Sequence, residues 1–154
     1  MCIIKLMEKE YIKLVQKKVV GLLKSNSNKP LFLLAKDNCS ELSRLAGSWI
    51  LQDHLNANAF IMKGEGINNN KKLSHDVLVI ESQSKFYILD PAIWQFFENS
   101  KNILIKITDS IENVRQDLER KYGGRWKISE KLGTVSEEQV NEWKKIIQEN
   151  IKNI

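Results

Sequence analysis

Cysteine, proline and histidine each occur only twice among the 154 residues. Cys2 and Cys39 are too few for a disulfide framework. In a chain without a signal-peptide pattern they read as reduced thiols of a cytosolic compartment. His54 and His75 are the only imidazoles, and neither CxxC nor HxxxH spacing occurs, so no metal site and no cofactor is expected. No apolar run approaches the length of a membrane span. MCIIKLMEKEY begins apolar, but Lys5, Glu8, Lys9 and Glu10 interrupt it too early for a secretion signal. An address read by a specialised secretion machine would leave no such mark. Nucleic-acid binding would call for a basic stripe with aromatics set among it, and none is found. The net charge of +5 comes from lysines that share their segments with acids, which describes a solvated surface. Such a charge is compatible with an acidic protein partner without requiring one.

What is present suits one globular domain spanning 1–154. At 17.9 kDa the chain can bury a real core, and 42% hydrophobic with 28% charged residues is ordinary for a globular protein. Ile12, Val15, Val19, Leu22 and Leu23 recur at three- and four-residue steps, predicting a helix near 6–25. The apolar run from Pro30 to Ala35 reads as a buried strand or a pocket floor. A turn at Lys36-Asp37-Asn38 launches a second helix over about 39–54, with Leu42, Leu45, Ala46, Trp49 and Ile50 on one face. Strands are expected at Ala59 to Met62, His75 to Glu81, Lys85 to Asp90 and Ile103 to Ile107. The loop KGEGINNNKKLS before His75 serves as a connector or as a lid. The C-terminal third is expected to be helical, over Ser110 to Tyr122, stopped by Gly123-Gly124, and over Ser136 to Asn150. Ser136 and Gln139 form a capping-box pattern.

Three residues stand where a nucleophile, a base and an orienting acid would be useful. Cys39 falls in the first turn of its helix, where unpaired amides and the dipole favour a thiolate. Asp37 and Glu41 oppose that, so ion pairing with a protonated His75 is the stronger lever. His75 opens one strand and Asp90 closes the next. If Ser82 and Lys85 flank a two-residue turn, Val77 stands opposite Asp90, and His75 is the diagonal neighbour of Asp90 on the same face. Asn38 is an N-cap candidate and a possible source of a second oxyanion donor beside the Cys39 amide. Trp49 and Trp94 read as core, with pocket lining as the alternative.

In DNCSELSRLAGSWI, SHDVLVIE and FYILDPAIWQF, over roughly 31–97, the order helix-borne Cys, strand His, strand Asp resembles the papain-like and transglutaminase-like cysteine superfamily. Its compact forms include arylamine N-acetyltransferases, bacterial effector proteases and glutamine deamidases. The resemblance implies an α+β fold, with a nucleophile helix packed on a small antiparallel sheet (core about 31–107) and a helical C-terminus (about 110–154). It implies Cys39 as nucleophile, His75 as base and Asp90 as orienter, acting on an amide of a protein or peptide substrate. It also implies a protein of the cytoplasm, or one delivered into a host cytosol. A papain-type glutamine ahead of the cysteine and a tryptophan after it are both lacking, Ser40 standing in the latter place. Those departures suit the transglutaminase-like and effector-like branches. The alternative is a non-enzymatic binding module, which would use Trp126, Trp143, Ile146 and Ile147 as an exposed patch on the C-terminal helices, although core packing of that helix on the sheet is the favoured reading. Oligomeric state is left open.

Overall fold

The computed structural model describes residues 8–154. Cys2 and the start of the first expected helix therefore lie outside the described residues. In chain order the elements are α1 (Lys9–Lys24), α2 (Leu31–Ala35), α3 (Cys39–Asp53), β1 (Asn58–Glu65), β2 (Ser74–Ser82), β3 (Lys85–Leu89), β4 (Leu104–Thr108), α4 (Ile111–Tyr122), β5 (Arg125–Leu132) and α5 (Glu137–Lys152). Short 3-10 turns lie at Ile67–Asn69 and Ile93–Gln95. The five strands form one open antiparallel sheet in the order β4-β3-β2-β1-β5, so the fold is α+β.

Alternation along the strands gives the sheet two covered faces. Ala59, Ile61, Leu78, Ile80, Tyr87, Leu89 and Leu132 pack against α1, α2, α3 and α5 in one core. Met62, Val77, Val79 and Ile88 pack against Val114, Leu118 and Tyr122 of α4 in the other. Helix α3 lies close on the sheet because Gly47 has no side chain. A Cβ there would stand 2.8 Å from Leu132 Cδ2 and 3.0 Å from Leu78 Cδ1. The β2–β3 turn has the length that fixes the register: Ser82 pairs with Lys85, and Gln83 and Ser84 have φ of 50° and 64°. Leu78 then faces Leu89, the pairing that puts Val77 across from Asp90.

Two expectations need correction. The run from Leu31 to Ala35 is helical, neither strand nor pocket floor, with the amides of Leu33 and Leu34 donating to the Pro30 carbonyl. Five apolar residues carry too little periodicity to separate a short helix from a buried strand. The C-terminal third is not all helix, since Arg125–Leu132 adds β5 to the sheet beside β1. As an edge strand it buries only Trp126 and Leu132, and its Lys and Arg residues face water, the usual protection of an edge. The C-terminal helix packs in the core, the reading favoured over an exposed patch. Trp126, Trp143 and Ile147 are buried, and α5 joins the larger core. Ser136 caps α5 as its sequence suggests, its hydroxyl accepting from the Gln139 amide. Trp49 and Trp94 are also core, Trp94 donating its indole N–H to the Ser100 carbonyl.

Candidate functional site

Cys39 is the first residue of α3, so its N–H has no carbonyl one turn back within the helix. The chain enters through Asp37, whose φ of 64° turns it back from α2. Asn38 follows but does not cap with its side chain. It is fully buried, its amide donating to the Leu34 carbonyl and its oxygen accepting from Asn150 Nδ2, each at 2.9 Å. That side chain ties α2 to α5. Cys39 itself is half-buried and is the free cysteine among the described residues.

His75 is the second residue of β2 and shares a face with Val77 and Val79, the face covered by α4. Cys39 comes from the helices on the opposite face, and α3 is docked at the beginning of β2. Two contacts dock α3 there. Ser43 Oγ donates to the Asp76 carbonyl at 3.3 Å, and Arg44 reaches Asp76 Oδ2 at 3.4 Å and Glu130 Oε1 at 3.0 Å. Arg44 also donates to Ser40, the residue after the cysteine, bracing the first turn of α3. Asp76 adjoins His75, so this brace links the cysteine's helix to the histidine's strand.

Asp90 follows β3 and is fully buried. One carboxylate oxygen, Oδ1, accepts from the Ala92 amide at 3.0 Å. The other, Oδ2, lies 2.7 Å from His75 Nε2 and also accepts the hydroxyl of Tyr122. The aspartate thus has a donor on each oxygen, as a buried carboxylate requires. His75 is 1% exposed, with Phe96, Tyr122 and Trp126 around its ring at centroid distances of 4.7, 5.3 and 6.4 Å. This aromatic collar leaves the imidazole little rotational freedom. It depends on Gly64, paired with His75 across β1, because the Trp126 ring lies 2.4 Å from where a Cβ would stand.

With Nε2 taken by Asp90, Nδ1 is the nitrogen left for the sulfur. Nδ1 makes no formed hydrogen bond among the described residues, yet Cys39 is near enough to influence the ring. Burial opposes charging His75, but the Asp90 carboxylate outweighs it and Cys39 adds to the effect. The imidazole is pushed up to about 10. Burial, and then Asp90, hold the Tyr122 phenol protonated well above its ordinary range. Imidazole and carboxylate are thus held together, and the pull of Asp90 on the ring's proton exceeds the cost of burying the charge.

Tyr122, Phe96 and Trp126 had no place in the expected site. The first was legible in part. Val114, Leu118 and Tyr122 recur every four residues on the buried side of α4, and a tyrosine ending such a stripe needs a partner for its hydroxyl. Nothing local in the sequence identifies that partner as Asp90, 32 residues away. The loop after β1 is tied down, since Ile67 is fully buried and the amides of Gly66 and Ile67 both donate to the Leu73 carbonyl. Among the described residues no helix is long and apolar enough to cross a membrane. Compared with protein-family models, curated proteins and solved structures, the chain matches none.

Proposed function

We propose that this protein is a thiol-dependent acyl-transfer enzyme acting on an amide of a protein or peptide, with Cys39, His75 and Asp90 as its catalytic residues. On this reading the α+β architecture is a compact variant of the papain-like and transglutaminase-like arrangement. The observation that supports the proposal is the setting of His75, with Nε2 2.7 Å from a buried aspartate, Nδ1 without a hydrogen-bond partner among the described residues, and the half-buried Cys39 near enough to raise the ring. An imidazolium beside a thiol is the common means of making sulfur nucleophilic at neutral pH.

In the first step the Cys39 thiolate attacks the amide carbon, forming the C–S bond and placing negative charge on the carbonyl oxygen. On this reading the N–H of Cys39, at the start of α3, donates to that oxyanion. Collapse breaks the C–N bond as His75 delivers its proton to the departing nitrogen, leaving a thioester. Water or an amine then attacks the thioester while His75 takes its proton, and the thiolate leaves. Water completes hydrolysis or deamidation, and an amine completes transamidation. Asp90 and Tyr122 touch no substrate on this scheme. They hold the ring and its charge.

Iodoacetamide labelling of the folded full-length chain at neutral pH tests the proposal, with the modified peptide identified by mass spectrometry so that Cys39 is distinguished from Cys2. Labelling of Cys39 is expected to exceed that of a cysteine in a short peptide and to slow by about tenfold or more in His75→Ala. Equal rates in peptide and protein, or an unaltered rate in His75→Ala, would sink it.

A further inference from the structure

Among the described residues the sheet ends at β4, and helix α1 runs alongside that edge without closing it. Two adjoining hollows occupy the space between them, of about 420 and 670 Å³, and they share Lys13, Gln16 and Asn102. Their cations are Lys9, Lys13 and Lys17 from α1 and Lys101 and Lys106 from the strand side. No acidic side chain among the described residues lines either hollow. Lys106 reaches Asp117 at 3.2 Å, whereas the other four lysines have no acidic partner among the described residues. Four unpaired cations along one groove repel each other, and an anionic occupant would relieve that repulsion.

The floor is apolar, formed by Ile12, Ile105 and Ile107, the last 39% exposed. Gln16 ties α1 to the turn just before the strand: its Nε2 donates to the Lys101 carbonyl at 2.9 Å and its Oε1 accepts from the Ile103 amide at 3.0 Å. Leu104–Thr108 follow as the outermost strand among the described residues.

We propose that this groove binds an acidic, extended peptide segment that adds to the sheet as a strand beside β4. Backbone pairing with the open edge supplies register, alternate apolar side chains meet the isoleucine floor, and intervening carboxylates reach the lysines. The absence of any aromatic side chain from the lining favours this occupant over single-stranded nucleic acid, which is held by base stacking as well as charge. The surface is independent of the chemistry proposed for Cys39, so either can fail without the other.

Fluorescence anisotropy of the full-length protein with fluorescein-labelled Glu-Val-Glu-Val-Glu-Val-Glu tests it. The peptide is expected to bind, and its lysine counterpart is not. Alternate N-methylation of the peptide backbone, and Lys13→Glu combined with Lys17→Glu, are each expected to weaken binding about tenfold or more. Both lysines are exposed, so the double variant should fold, which circular dichroism checks. Cys39→Ser is expected to bind like the parent. Absence of binding, equal binding of the lysine peptide, or indifference to N-methylation or to the lysine reversals would overturn the proposal. So would equal or tighter binding of oligo-dT, or a concentration-dependent dimer abolished by the lysine reversals.

Discussion

His75 Nε2 lies 2.7 Å from Asp90 Oδ2, with both side chains closed to solvent. A buried pair of this kind holds its charges only while both are present, because neither can fall back on water. Asp90→Asn leaves His75 without its counter-charge in an aromatic enclosure. A loss of about 3 kcal/mol of stability is expected in urea unfolding, from the uncompensated burial of one partner. Labelling of Cys39 by iodoacetamide should slow as well. A variant as stable as the parent, with unchanged labelling, would show that the pair does not carry the charge assigned to it.

The raised value of His75 has a pH signature. The folded-state value is about 10, above the ordinary 6.5 of an unfolded imidazole. The folded state therefore binds this proton more tightly than the unfolded state. Its contribution to stability is fully present below pH 6.5 and is lost as the pH rises through about 10. Thermal melts between those limits should fall more steeply for the parent than for His75→Gln. Parallel curves for the two proteins would contradict the shift.

Tyr122 donates its hydroxyl to the same oxygen that holds His75. Tyr122→Phe removes that donor and keeps the ring, so the aromatic collar survives while Asp90 loses one hydrogen bond. The expected cost is about 2 kcal/mol, the range for a bond to a charged group. Asp90 keeps the Ala92 amide and the imidazole, so Cys39 labelling should fall much less than in Asp90→Asn. Equal loss in the two variants would place Tyr122 in the chemistry itself.

Gly64→Ala tests the collar from the other side. The added methyl would meet the Trp126 ring at 2.4 and 2.5 Å and Ile67 Cδ1 at 2.8 Å. Overpacking of this degree is expected to cost about 1–3 kcal/mol. The ring must move, and a changed Trp126 environment should appear in the near-ultraviolet circular dichroism. A variant with parental stability and an unchanged spectrum would refute the tight packing.

Much of the site could be read locally. Cys39 was placed at a helix start by the turn Lys36-Asp37-Asn38 and the apolar face that follows, and α3 begins there. His75 and Asp90 were brought onto one face by strand parity and a two-residue turn, and Ser82 pairs with Lys85 as that turn requires. Such features rest on periods of two and 3.6 residues and on short-range turn geometry, which the chain carries in its own order. Asn38 went the other way, since a residue suited to capping also suits any interior site with two partners, and Leu34 and Asn150 supplied them.

The amino-acid order alone determined the main helices, four of the strands, the hairpin register and the alignment of imidazole with carboxylate. These depend on neighbours within about twenty residues. Only the tertiary structure decided that Arg125–Leu132 forms the far edge of the sheet, that Trp126 is buried, and that the hydroxyl of Tyr122 ends on Asp90. Those outcomes arise where α4 carries the chain across the sheet, joining residues whose separation in sequence gives no period to read. The seating of α3 on β2 is of the same kind, since the close packing at Gly47 and the Arg44–Asp76 contact join residues far apart in the chain.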